Sequence, residues 1–297
     1  MYTTTMEYNR SFENLLRGKV DEVMHKEGHT KDISGYPFPA GFEGDYVGAL
    51  SRENLFRRYG TVVHAPEGDN SIIAVASSGS AELVESNMAY PISGDTVTEF
   101  MCSAYKLASL CKLKLSFIRD KKFDVSKYLK NEFARRFGRA EENIMLNGTG
   151  VNEPSGILKD AQIGCATASI TYDDVIKLYF SVKPEYRRKA VWIVNDKTAL
   201  ALRTLKDENG NYLWNQANST ILDRPVVYSQ YMPDADAGNK PIAFGDLSYV
   251  WMIERSPLMV RVLVEKYLLD DMYGYAANER FDCKLIRPEA VKVLKIA

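Results

Sequence analysis

The sequence predicts an α+β protein organised around one long helix, and three observations predict it. Residues 124–158, DVSKYLKNEFARRFGRAEENIMLNGTGVNEPSGIL, place Val125, Tyr128, Leu129, Phe133, Phe137, Ala140, Ile144 and Met145 near the three-four spacing of a buried helical stripe. From Thr61 to Tyr105 the texture changes to short β-type runs separated by loop signals. From Ile242 to Ile296 it is strand-like again, in the runs IAFGD, YVWMI, MVRVLVEKYL, FDCKLI and AVKVLKI. Helical and strand-like blocks are segregated rather than strictly alternating, which is the α+β pattern. A helix over 124–147 makes about six turns, long for a globular domain, so it serves as the spine.

The chain has 297 residues, 45% of them hydrophobic, enough for a real core in one large or two moderate domains. A formal charge of −1 excludes nucleic-acid affinity driven by net charge alone. No apolar run reaches the length of a membrane span. The first ten residues, MYTTTMEYNR, contain no apolar signal region, so secretion by that route is not expected. Cys102, Cys111, Cys165 and Cys283 are scattered and read as reduced, buried thiols.

Taken in order, residues 6–26 predict a helix with Phe12, Leu15, Leu16, Val20, Val23 and Met24 on one side, a face too small to order without another surface. GYPFPAG at 35–41 reads as a hinge, and a short helix follows over Gly44–Arg58. Strand candidates come next at Thr61–His64, Ser71–Ala76, Ala81–Val84 and Thr96–Ala104. Residues 59–105 contain no Lys or Arg but carry Glu67, Asp69, Glu82, Glu85, Asp95 and Glu99, so they predict an acidic hairpin that projects. Lys106–Leu115 alternates like a half-buried strand. Between Lys106 and Arg139 eleven basic residues face only Asp120, Asp124 and Glu132. Asp124 is the expected N-cap of the spine helix. Gly148, Gly150, Pro154 and Gly156 force the chain out of it. Thr171–Phe180 predicts a helix capped by Thr171, Ala190–Val194 a buried strand, Lys197–Leu205 a helix and Arg224–Tyr228 a strand. PDADAGNKP at 233–241 is a loop and a candidate boundary.

No constellation for catalysis, cofactor or metal emerges. NGTGVNEPSG lacks the Gly-Lys-Ser/Thr ending of a phosphate loop and follows a helix instead of a strand. His25 and His29 are four apart but have no third ligand, and His64 is the remaining histidine. DENGN at 207–211 is too short for a calcium loop and lacks its final Glu. Asp173-Asp174 and Asp270-Asp271 read as helix-start and loop residues.

Several blocks, in this order, resemble a known family: EENIMLNGTGVNEPSGIL, TYDDVIKL, VWIVNDKTALALRTLKDENGNYL, RPVVYSQYMP and PIAFGDLSYVWMIER. Over about Arg17–Ile296 the chain resembles the major capsid proteins of tailed bacteriophages, with the Hong Kong 97 fold. The resemblance implies an N-terminal arm (1–35), a hinge and short helix (36–61) and an extended loop (62–104). It also implies a peripheral domain (105–156 and 241–297) holding the spine helix 124–147, and an axial domain (157–240). Subunits of this kind form hexamers and pentamers of a phage head around double-stranded DNA. They are made in the host bacterial cytoplasm and work with scaffolding, portal and in some cases decoration proteins. The absence of Lys from 59–105 departs from members that cross-link a loop lysine to a neighbour's Asn, so that isopeptide bond is not expected. A separate scaffold is expected in place of a fused one. The charge blocks predict that Glu67, Glu82, Glu85 and Asp95 of one subunit meet basic surface of the next, at Arg57-Arg58 or Lys112 and Lys114. Contact with DNA phosphates is the rival use of the basic spine. An encapsulin-like compartment shell is the nearest alternative, and a soluble α+β enzyme the alternative from another class.

Overall fold

The computed structural model describes residues 6–19, 35–65, 71–77, 79, 81, 83–84, 88, 96–206, 209–212, 214 and 219–297. Its helices are α1 (Met6–Leu16), α2 (Ala40–Glu53), α3 (Leu55–Tyr59), α4 (Leu115–Arg119), α5 (Val125–Asn147), α6 (Ile157–Asp160), α7 (Tyr172–Ser181), α8 (Pro184–Arg187) and α9 (Asp196–Arg203). Its strands are β1 (Tyr36–Pro37), β2 (Thr61–His64), β3 (Ser71–Ser77), β4 (Thr96–Met101), β5 (Tyr105–Lys114), β6 (Gln162–Thr167), β7 (Val191–Val194), β8 (Thr220–Ile221), β9 (Arg224–Tyr228), β10 (Ile242–Gly245), β11 (Val250–Leu263), β12 (Met272–Leu285) and β13 (Val291–Ile296).

The spine α5 starts where its sequence requires. The Asp124 carboxylate accepts from the Lys127 amide at 2.9 Å, filling one of the N–H groups a helix start leaves unpaired. Leu129, Phe133, Phe137, Met145 and Leu146 are buried along it. Tyr128, expected on the same stripe, is instead 38% exposed, its ring resting against Phe123 at 5.6 Å between centroids. The spine lies on a five-stranded sheet ordered β1-β11-β12-β5, with β2 added parallel to β11. One core joins α1, α2, the spine and this sheet through Phe12, Leu50, Phe133, Phe137, Val260 and Tyr275. The run YVWMI and the first half of MVRVLVEKYL form a single strand, β11, whereas Glu265–Asp270, expected as strand in part, turns into a 3-10 helix. The register of β11 shifts around Ser256-Pro257, because a proline cannot donate a ladder hydrogen bond.

Helix α1 ends earlier than its apolar pattern suggests. Gly18 has φ +76°, and a Cβ there would lie 2.5 Å from the Tyr273 ring. Tyr275 Oη donates to Leu16 O at 2.6 Å, and an Arg17 guanidinium N–H donates to Phe123 O at 3.1 Å. The surface that orders α1 therefore belongs to this chain. Val20, Val23 and Met24 lie outside the described residues. The helix expected over Gly44–Arg58 is two helices, broken at Asn54, whose side-chain oxygen caps α3 by accepting from the Phe56 amide at 2.8 Å.

The second sheet has six strands in the order β6-β13-β10-β7-β9-β8. Here the structure departs from the expectation that all strands of 241–297 return to the spine. β10 pairs with β7, and β13 lies between β6 and β10. All four residues of β10 are buried, as are all four of β7, so β10 needs a sheet that covers both its faces. Trp192 and Phe244 stack at 4.1 Å in the core under α7, α8 and α9, and the indole N–H donates to Ile221 O at 3.0 Å. Thr171 caps α7 in a full capping box with Asp174. Burial alone would raise the Asp174 pKa, but hydrogen bonds from Thr171 and Lys177 outweigh it and bring it to about 2.

The third sheet is the two-stranded hairpin β3–β4. The strand expected at Ala81–Val84 does not form at its described residues Ala81, Leu83 and Val84, and Glu82 lies outside them.

Candidate functional site

One group of buried charged residues converges on Arg57. Capped by Asn54, α3 presents Arg57 to the spine, where Glu141 lies on the buried side one helical step from Phe137 and Met145. The guanidinium grips Glu141 bidentately: Nε donates to Oε2 at 2.7 Å and Nη2 to Oε1 at 2.5 Å. Nη1 donates to Glu254 Oε1 on β11 at 2.6 Å, and Asn54 Nδ2 donates to Glu141 Oε2 at 2.9 Å. Burial pulls the Arg57 pKa down, but Glu141, Glu254 and Glu279 together lift it well above its ordinary value. Only 4% of the Arg57 side chain is exposed, which corrects its expected role as a surface contact for a neighbour's acidic loop. Its charge is engaged within its own subunit.

A third carboxyl, Glu279 of β12, completes the cluster. Burial pushes its pKa well up, reinforced by the charge of Glu141 and a hydrogen bond to it. A cavity of about 140 Å³ lies alongside, lined in part by Tyr46, Leu50, Arg57, Glu254, Glu279 and Phe281. Among the described residues Tyr46 Oη and Glu279 Oε1 are buried without a partner. Next along the spine, Glu142 ties two further elements together, accepting from the Leu55 amide at 3.0 Å and from Ser229 Oγ at 2.5 Å. Burial raises the Glu142 pKa despite those hydrogen bonds.

At the end of the spine the glycine-rich turn folds back on itself. Gly148 N donates to Ile144 O at 2.8 Å, Gly156 N to Gly148 O at 2.8 Å, and Gly150 N to Pro154 O at 3.2 Å. Gly150 has φ +75°. The Glu153 carboxylate accepts from both the amide and the hydroxyl of Thr149, at 2.9 and 2.8 Å. These bonds lower its pKa. The amide groups a phosphate would need are thus occupied by the turn's own oxygens. Gly148, Gly150, Pro154 and Gly156 form a tightly packed elbow into α6.

Outside the core, Arg58 is exposed, its guanidinium 5.1 Å from the Tyr59 ring centroid. It lines an open groove with Arg52, Arg139 and Tyr231 between α2, the spine and β9. Arg139 and Tyr231 also line a second groove, shared with Arg136 and residues 107–109 of β5, so the two run together across the spine. Lys112 and Lys114 are exposed farther along β5 and line neither groove. Lys112 Nζ sits 4.5 Å from the Tyr267 ring centroid. Glu67, Glu82, Glu85 and Asp95 lie outside the described residues. The hairpin is fastened at two points: at its base the Ser103 amide donates to Asp282 Oδ2 at 2.8 Å, and farther along β3 the Arg287 Nη2 donates to Val75 O at 3.1 Å. Along the ribbon Ile73, Val75, Val97 and Met101 are exposed.

Among the described residues no cluster of His, Cys, Asp and Glu could hold a metal ion, and His25 and His29 lie outside them. The four cysteines are buried and unpaired. No described helix is long and apolar enough to cross a membrane. Sequence reasoning missed Glu141, Glu142, Glu254 and Glu279. One signal for Glu141 was available: it falls four residues from both Phe137 and Met145, on the stripe reserved for apolar side chains.

Comparison with known proteins fits this architecture. The family model described as the phage capsid family matches residues 34–296. The solved capsid of the native GTA particle is 25% identical with a TM-score of 0.67, over 84% of this chain and 90% of that one. A structure from Microbacterium phage Oxtober96 is 17% identical with a TM-score of 0.61, over 82% and 91%. One from Gordonia phage Cozz is 13% identical with a TM-score of 0.58, over 90% and 88%. No curated protein sequence matches the chain.

Proposed function

Because this chain belongs to the phage capsid family and is a structural subunit of the virion shell, we propose that its copies assemble as hexamers and pentamers of an icosahedral head enclosing double-stranded DNA. The α+β architecture, with its long spine and projecting hairpin, is the Hong Kong 97 type. In this reading the spine-bearing body sits at the periphery of the capsomer and the six-stranded body, including β10 and β13, at its centre. The arm 1–35 and loop 62–104 reach neighbouring subunits. Scaffolding, portal and decoration proteins are the proposed partners, and the host bacterial cytoplasm is the proposed site of assembly.

The observation that carries the reading is the β3–β4 ribbon. Its Ile73 and Met101 are 71% and 68% exposed, and it pairs with no third strand among the described residues. A two-stranded ribbon that leaves these apolar side chains in water is marginal even with its anchors to Asp282 and Arg287, and another copy is proposed to cover it. Electron microscopy of the purified protein tests this. Capsomers or closed shells are expected, and a species that stays monomeric under all assembly conditions overturns the reading.

The acidic loop is proposed to dock on the arginine groove of a neighbour, at Arg52, Arg58, Arg136 and Arg139, with Lys112 and Lys114 as a second landing surface. The same basic residues would serve DNA phosphates if they faced the shell interior. Replacing both Glu82 and Glu85 with Lys is expected to lower assembly yield several-fold, measured by sedimentation. The gap from wild type should be widest at low salt, because added salt screens exposed charges beyond about 10 Å. Equal yields at every salt concentration exclude the loop from this contact.

Residues 59–105 contain no Lys, so the shell is proposed to hold without loop-lysine isopeptide bonds. Boiled in denaturant, mature particles are expected to release the capsid protein as a single monomer band. A ladder of multimers would contradict this.

A further inference from the structure

The carboxyl cluster around Arg57 is more acidic than a static clasp requires. Four elements meet there. α3 brings Arg57, the spine brings Glu141, β11 brings Glu254 and β12 brings Glu279. α2 adds Tyr46, whose buried hydroxyl lies in the field of the same carboxyls and has no partner among the described residues. β2 adds His64, whose Nδ1 lies 2.9 Å from Glu254 Oε2 at the solvent-exposed rim. Arg280 lines the cavity beside the cluster, and one of its guanidinium N–H groups donates to Ala104 O. Three carboxyls thus surround one buried guanidinium. Glu279, 5% exposed, makes no ion pair among the described residues; the Arg57 charge draws its pKa down, but burial and its contact with Glu141, to which it is hydrogen-bonded, outweigh that pull. Two carboxyls can share such a bond only if one of them keeps a proton.

We propose that Glu279 and Glu141 form a proton-dependent latch: while Glu279 is protonated, α2 and α3 stay seated on the spine, and loss of that proton loosens them. The latch acts on the base of the projecting loop, because α3 leads through Gly60 directly into β2, which in turn precedes the hairpin. The cavity of about 140 Å³ beside Glu279 gives water room to enter when the seat opens. This device concerns the subunit itself and holds whatever the geometry of the shell.

The sign follows from linkage. In the opened form Glu279 returns to its ordinary carboxyl value of 4.5, whereas in the closed form it holds its proton to higher pH. The closed form therefore binds the extra proton above pH 4.5. Its advantage is greatest at acid pH and falls as pH rises, until Glu279 ionises in place. Hydrogen exchange of the full-length protein across 40–59, corrected for intrinsic exchange, should lose protection about tenfold per pH unit over part of that range. Glu279→Gln keeps a donor toward Glu141 but cannot ionise, so its profile is expected to be flat. Parallel profiles for wild type and variant would overturn the latch. Should the variant fail to fold, infrared titration of the wild type decides the matter. A neutral-carboxyl band that persists through the pH range in which protection falls, and disappears where protection levels off, supports the latch, and no such band in that range refutes it.

Discussion

Arg57→Ala is expected to destabilise the subunit by about 3–5 kcal/mol, the cost of breaking a buried ion pair by removing one partner. Among the described residues Arg57 is the guanidinium that bonds Glu141 and Glu254, and the substitution leaves their carboxylates facing Glu279 with little solvent to screen them. Asn54 still donates to Glu141, but one amide does not replace the bidentate grip and the third bond to Glu254. The loss should appear as a lower denaturant midpoint at neutral pH, and it should be smaller in acid, where the orphaned carboxylates can take up protons. Arg58→Ala is the control. Its side chain is exposed, and surface substitutions of this kind stay within about 0.5 kcal/mol. Equal losses from neighbouring arginines would mean that the buried cluster does not hold the helices as described.

The second large effect belongs to Gly156→Ala. A Cβ at Gly156 would lie 2.4 Å from Leu146 O and 2.5 Å from Gly148 N, both backbone atoms of the spine's end. Neither can swing aside as a side chain would, so the elbow must open and the bond from Gly156 N to Gly148 O is strained. Overpacking of this kind costs about 1–3 kcal/mol, and the weakened hydrogen bond adds about 1 kcal/mol. Gly150→Ala provides the comparison. Its Cβ would meet only the Lys159 Nζ and Ser155 side chain, so its cost is the left-handed φ alone, about 1–2 kcal/mol. Denaturant titrations of both variants should rank Gly156→Ala as the more damaging. The reverse order would show that turn conformation, not backbone crowding, dominates at the elbow.

These effects show what could and could not be read from the chain. The spine, its Asp124 cap and its end at Asn147-Gly148 follow from local spacing and chemistry, as does the Thr171 cap of α7. The fate of Arg57 was not legible, because its partners Glu141 and Glu254 stand 84 and 197 residues away. A run of basic residues in sequence gives no sign of which one the fold will turn inward. The early stop of α1 was hidden for the same reason: Tyr273 and Tyr275, which crowd Gly18 and hold Leu16, are strands away. The division of 241–297 between two sheets was equally silent. β10 and β13 look like the other strands until their partners are known.

The position of β13 has a consequence for how a subunit comes into being. This strand, formed at 291–296, sits inside the six-stranded sheet, with β6 on one side and β10 on the other. During synthesis β6 leaves the ribosome long before the strand that pairs with it, so the sheet stays open until β13 has also emerged. A nascent or prematurely broken chain can build its spine yet cannot close its second body. Synthesis through β13 thereby acts as a checkpoint, and a subunit without this strand lacks the rigid block that a shell would have to accept.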